Sequence, residues 1–187
     1  MRVLGKTVRL PQTLPRSRVR LALRGFTAQS SVSADAVANA IEWLPGFHLE
    51  GLREIVYSTQ DALHYPSLAP PSAAAGWAEY VQAERSVFLY RSDDTELFWH
   101  VLYHEIGHHV YFLVISSRVK KRWVTAIWPR SECATPYGST SAAEDFAECY
   151  ALYAQHTRSL EAFPAKLEFM RDEVFSGKPE TLKEKRR

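Results

Sequence analysis

Cysteine is close to absent from this chain of 187 residues: Cys133 and Cys149 are the only two. Two thiols cannot make a disulfide framework, and they suit a reducing compartment. Long apolar runs are missing as well. Nothing approaches the roughly 18 residues that cross a bilayer, so no membrane span is expected. No secretory leader is evident, because no uninterrupted apolar stretch near the start is followed by a small-residue cleavage site. A cytoplasmic location is the expectation, with secretion by another route left open. Acidic side chains are missing from the first 34 positions, which carry Arg2, Lys6, Arg9, Arg16, Arg18, Arg20 and Arg24. Pro11 and Pro15 break any long amphipathic helix there. Residues 1–34 therefore read as a basic arm or as edge strands packed on a domain. The overall charge of +2 is too small to argue for nucleic acid as a partner.

Hydrophobic residues make up 46% and charged residues 24%, an ordinary globular balance that excludes disorder as the dominant state. The length is that of one domain, expected over 35–177, with a polar tail over 178–187. Ser33 to Leu44 has Val37, Ala38, Ile41 and Leu44 at helical spacing, stopped by Pro45-Gly46. Leu52 to Thr59, Trp77 to Val81 and Ser86 to Arg91 read as strands. Pro66, Pro70 and Pro71 make 64–75 a loop. Ser92-Asp93-Asp94 offers a helix cap, and one long apolar helix is predicted from Thr95 to Ser116. Ser117 to Trp128 is ambiguous. Helices are predicted again from Ser141 to His156 and from Pro164 to Phe175. Strands early and helices late suggest an α+β fold.

The informative stretch is His104-Glu105-Ile106-Gly107-His108. At this content of His and Glu, the pattern His-Glu-x-x-His arises by chance in only about 2% of chains. On a helix, residues four apart share a face. Two imidazoles so placed can hold one zinc ion, and Glu105 beside them can take a proton from metal-bound water. Burying His104, Glu105 and His108 without a metal would be expensive. Gly107 costs the helix about 1 kcal/mol relative to alanine, so a close neighbour is expected there.

A catalytic zinc needs a third protein ligand. The downstream candidates are Glu132, Cys133, Glu144, Asp145, Glu148, Cys149 and His156. Glu144 and Glu148 lie one turn apart on a second helix. That helix would offer the Glu144 carboxylate to the metal, and the Glu148 carboxylate would hold a ligand histidine, His104 in the first instance, by its other ring nitrogen. Ser141-x-x-Glu144 also reads as a capping box, a competing use of Glu144. His109 is turned about 100° from His108 and reads as packing. His100, one turn before His104, borders the site or is a satisfied core residue. Cys149 reads as a small buried hydrophobe, Lys120-Lys121-Arg122 as solvated surface, and Trp123 and Trp128 as core.

Tyr137-Gly-Ser-Thr-Ser-Ala-Ala-Glu144-Asp-Phe-Ala-Glu148, following His104-Glu-Ile-Gly-His108, resembles the anthrax lethal-factor-like metallopeptidases. That group includes the Pro-Pro endopeptidases and belongs to the gluzincin class. The resemblance covers about Arg85 to Phe175. It implies a zincin-like domain, a small mixed sheet packed on an active-site helix and a following glutamate helix. It further implies Glu144 as third zinc ligand and Tyr137 as a group that assists the transition state. Gly76-Trp-Ala-Glu-Tyr80 resembles the edge strand that the family sets above the zinc.

The resulting expectation is a peptidase with one zinc ion and a peptide or protein substrate. His104, His108 and Glu144 hold the metal, Glu105 acts as base, Tyr137 stabilises the oxyanion, and Glu148 orients a histidine. One rival reading is an intracellular regulatory metallopeptidase that cuts a repressor. The other is a non-catalytic metal-containing binding module that docks through its basic N-terminal arm, with Cys133 closing a structural site.

Overall fold

The computed structural model describes residues 6–9, 20–28, 31–58 and 77–175. The predicted 64–75 loop, the 178–187 tail and much of the basic arm lie outside them. Five short strands form one mixed sheet: β1 (Lys6–Arg9), β2 (Arg20–Arg24), β3 (Glu54–Tyr57), β4 (Ala78–Val81) and β5 (Ser86–Leu89). Their order is β1-β2-β3-β5-β4. The two outer pairs are antiparallel, and β2–β3 and β3–β5 are parallel. The sheet draws on both sides of position 34. β2 lies inside it, with Leu21 and Leu23 buried and Arg20 and Arg24 turned to solvent.

Helix α1 (Ala34–Glu42) starts where Ser33 Oγ accepts the Ala36 N–H at 3.1 Å, and it buries Val37 and Ile41. Tyr103 donates its hydroxyl to the Ala40 carbonyl at 2.7 Å and ties α1 to α2 (Thr95–His109). Asp94, the last of the predicted capping residues, accepts the Leu97 N–H at 3.0 Å and opens α2. Chain order therefore places the strands mainly before α2 and the helices mainly after it, an α+β arrangement. No helix among the described residues is long and apolar enough to cross a membrane.

The long helix expected from Thr95 to Ser116 is instead broken. After His109 the backbone widens into a π-type turn, Val110–Val114, in which the Ile115 N–H donates to the Val110 carbonyl at 3.0 Å. Ser116 is extended, and its hydroxyl accepts the Val119 N–H, so it caps a new helix, α3 (Ser117–Arg122). A second wide turn, Trp123–Ile127, follows α3. The ambiguous stretch is thus helical, and Trp123 is fully buried with its indole N–H donating to the Ala142 carbonyl at 2.7 Å. Helix α4 (Ala142–His156) agrees with expectation, whereas α5 (Pro164–Phe169) is shorter than predicted and ends in a wide turn, Met170–Phe175.

α2 packs against α4 and against β4 and β5. Its contact with α4 is close because residue 107 is glycine. A Cβ there would lie 3.0 Å from the Ala147 Cα and 3.1 Å from the Tyr150 Cβ. This is the close neighbour that the glycine implied.

Candidate metal centre

His104 and His108 project from one face of α2, with ring centroids 4.7 Å apart. Because α4 crosses at Gly107, its residues one turn apart, Glu144 and Glu148, flank that crossing. Glu144 Oε2 lies 3.1 Å from His104 Nε2 and 3.2 Å from His108 Nε2. Ser141 still caps α4, since its Oγ accepts the Glu144 N–H at 3.1 Å. The Glu144 side chain, however, goes to the histidines, which resolves the two competing uses of that residue.

Glu148 Oε1 faces the other nitrogen of the same ring, His104 Nδ1, at 2.7 Å. An ionised carboxylate only accepts, so Nδ1 carries a proton. A neutral His104 then presents a bare lone pair at Nε2, toward another acceptor, Glu144. The pair repels unless the ring is charged or a cation lies between them. Burial opposes a charge on His104, but Glu144, Glu148 and Glu105 outweigh it and raise its pKa to about 10. Burial pushes Glu144 and Glu148 upward, yet the neighbouring histidines hold both well below the usual carboxylate range. A cation among the three donors would remove the same repulsion with both rings neutral. The spacing fits one. Ligand atoms about 2.0–2.1 Å from a tetrahedral zinc lie roughly 3.3 Å from each other.

His108 Nδ1 is buried and has no hydrogen-bond partner among the described residues. Phe112 stacks on the His108 ring, with centroids 6.0 Å apart. His100, His104 and Glu148 form a second convergent trio. That trio uses the Nδ1 side of His104, already committed to Glu148, and His100 Nε2 sits 3.3 Å from Glu148 Oε1. Of the seven candidate third ligands, Glu144 is the one that meets both His104 and His108. Glu132 and His156 are exposed, Cys133 is half-buried, and Cys149 is buried with its thiol pushed well up by desolvation.

Glu105, next to His104, is buried. Desolvation raises its pKa against the opposing pull of His104 and His108 and of a hydrogen bond from the Tyr80 backbone N–H. That contact brings β4 to the site. Tyr90 donates its N–H to the Trp77 carbonyl at 2.8 Å, and Ala78 pairs with Leu89. By antiparallel alternation, the backbone groups of Ala78 and Tyr80 face away from β5. β4 is the last strand of the sheet, so these groups form its edge.

Tyr137 occupies the turn Tyr137–Thr140 just before α4, and its ring centroid is 5.7 Å from that of His104. His109 is turned away from this cluster and is fully buried. Its Nε2–H donates to the Glu50 carbonyl at 3.1 Å and its Nδ1 accepts from the Tyr80 hydroxyl at 3.0 Å, which pins β4 to α2. Sequence reasoning anticipated no metal contact for His109, but nothing in the spacing signalled the Tyr80 partner. It also weighed Asp145 as a ligand. Asp145 instead binds Lys166 with both oxygens at 2.7 Å, and both side chains are fully buried.

No protein-family model matches this chain, and no curated protein matches it.

Proposed function

We propose that the chain is a zinc-dependent peptidase, a zincin-like domain of the lethal-factor-like kind. The observation that supports this best is Glu144 Oε2 standing 3.1 Å from His104 Nε2 and 3.2 Å from His108 Nε2, all three ligand atoms within 4.8 Å of one another, with Glu105 on the same turn of α2. A zinc ion held by those three residues would supply Lewis acidity to a scissile carbonyl.

The remaining work falls to the chain's own groups. Glu105, its pKa raised by burial, takes a proton from the attacking water and returns it to the leaving amine. Tyr137 donates a hydrogen bond to the developing oxyanion, a contribution of roughly 3 kcal/mol to the barrier. Glu148 holds His104 in the Nδ1-protonated tautomer, which leaves the Nε2 lone pair as the one that would take a metal. An extended peptide adds to the edge of β4. There it meets the N–H and C=O of Ala78 and the C=O of Tyr80, since the Tyr80 N–H is engaged by Glu105. The non-catalytic alternative is disfavoured by two features: neither convergent trio among the described residues contains a cysteine, and a structural site has no use for a buried base.

The test is metal content after zinc loading, wild type beside Glu144→Ala, followed by a peptide-library screen. One zinc per wild-type chain, its loss in the variant, and cleavage by the wild type alone are expected. Full zinc retention by Glu144→Ala would remove Glu144 from the ligand set. Zinc without cleavage of any peptide would remove the peptidase activity.

A further inference from the structure

Asp145 follows the proposed ligand Glu144 directly, yet it points to another set of partners. Its carboxylate takes Lys166 Nζ on both oxygens at 2.7 Å. Neither side chain has any exposed surface. Lys166 comes from α5 and is roofed by Trp123 and Phe163, with ring centroids 5.9 and 5.8 Å from its Nζ. A staple between two helices needs no more than this. Asp145 does more, because Oδ1 also accepts the Ala134 backbone N–H at 3.2 Å.

Four residues later the same segment touches Asp145 again. Gly138 is buried against it, so close that a Cβ would stand 2.8 Å from Oδ1, 3.1 Å from the Asp145 Cα and 3.2 Å from its Cβ. The carboxylate cannot swing aside, because Lys166 holds both its oxygens. Tyr137 sits between these two anchor points, with its ring at the His104 ring.

We propose that the Asp145–Lys166 pair is the positioning device for Tyr137. It clamps 134–138 at Ala134 and Gly138 and so fixes where the phenol stands over the metal centre. Asp145 and Lys166 are positioning residues, since neither touches the reacting atoms. The catalytic half of this proposal rests on the peptidase reading; the clamp itself does not.

The experiment has two arms. Amide hydrogen exchange is measured on the full chain for wild type, Asp145→Asn and Gly138→Ala. Gly138→Ala removes neither member of the ion pair and serves where Asp145→Asn fails to fold. Exchange at 134–140 is expected to speed up by about tenfold or more beyond whatever change α4 and α5 undergo in the same variant. Unchanged exchange at 134–140, or equal acceleration throughout α4 and α5, would reduce the pair to a helix staple and overturn the clamp.

The second arm uses zinc-loaded protein and a peptide that the wild type cleaves. Gly138→Ala is expected to lower kcat about tenfold with KM and zinc content little changed, and to have less than about a twofold effect in the Tyr137→Phe background. An equal loss in both backgrounds would show that the clamped turn does not act through Tyr137 and would overturn the catalytic half of the proposal. A wild type that cleaves nothing would sink the peptidase reading, while exchange would still decide the clamp.

Discussion

Gly107→Ala tests whether the α2–α4 crossing sets the metal centre. The added Cβ would lie 3.0 Å from the Ala147 Cα, 3.1 Å from the Tyr150 Cβ and 3.3 Å from the Ala147 carbonyl oxygen. Ordinary carbon–carbon contacts are about 3.5–4.0 Å, so α4 must give way by a few tenths of an ångström. Neither neighbour can yield alone: one is backbone, and the other belongs to a fully buried tyrosine. Alanine gains about 1 kcal/mol in helix propensity over glycine. Overpacking costs about 1–3 kcal/mol. The net loss of metal-free stability should therefore fall between about 0 and 2 kcal/mol, and the chain should fold. The effect on metal should be much larger. Glu144 rides on α4, and its Oε2 starts at 3.1 and 3.2 Å from the two Nε2 atoms. Metal–ligand distances tolerate only about 0.2 Å, so the retreat should cost tenfold or more in zinc affinity. Urea unfolding with a chelator present gives the first quantity, and competition for zinc against a calibrated chelator gives the second. A folded Gly107→Ala variant that binds zinc as tightly as wild type would refute the reasoning.

Three further outcomes are expected. Glu105→Gln should keep zinc and lose about 10²–10⁴ in cleavage rate; an undiminished rate would remove Glu105 as the base. Tyr137→Phe should lower kcat by about 10²–10³ at unchanged zinc content, and an equal kcat would leave Tyr137 a packing residue. His48 is fully buried, with Nε2–H donating to the Val174 carbonyl at 3.0 Å and Nδ1 accepting from the Tyr150 hydroxyl at 2.9 Å. Burial, with a further push from His109 that the Val174 hydrogen bond opposes, lowers its pKa from 6.5 to about 4. Below pH 6.5 the unfolded chain takes a proton that the folded chain refuses, so stability is complete above 6.5 and declines as the pH falls toward 4. The loss should be on the order of 3 kcal/mol. His48→Gln, whose amide N–H can replace the Nε2–H donor to Val174 and which does not titrate, should flatten that part of the urea-unfolding profile between pH 7 and 4; an unchanged slope would dismiss His48 as its source.

What the sequence makes legible here is whatever depends on short spacing. His104 and His108, and Glu144 and Glu148, each lie four apart, so a helix places each pair on one face, and Asp94 and Ser141 mark where those helices begin. The tertiary partners leave no such trace. Asp145 and Lys166 are 21 residues apart with no pattern linking them, and Tyr80 reaches His109 across 29. The break after His109 was hidden as well, because a wide turn uses the same apolar residues as the helix it interrupts, and only Ser116 hints at a restart. β2 in the sheet interior was hidden by its flanking arginines, which suggested a basic arm or at most an edge strand, although Leu21 and Leu23 are core.

Gly107 shows how the legible and the hidden parts meet. Its cost to α2 announced a close neighbour but did not name one. The neighbour is Ala147, which stands between Glu144 and Glu148. A bulkier residue at 107 would leave both two-residue motifs intact in the sequence and separate them in space. The spacing within each helix therefore defines which groups are offered, and the missing side chain at 107 defines how near they come. Two signatures that read as independent become one set of donors through an atom the sequence omits.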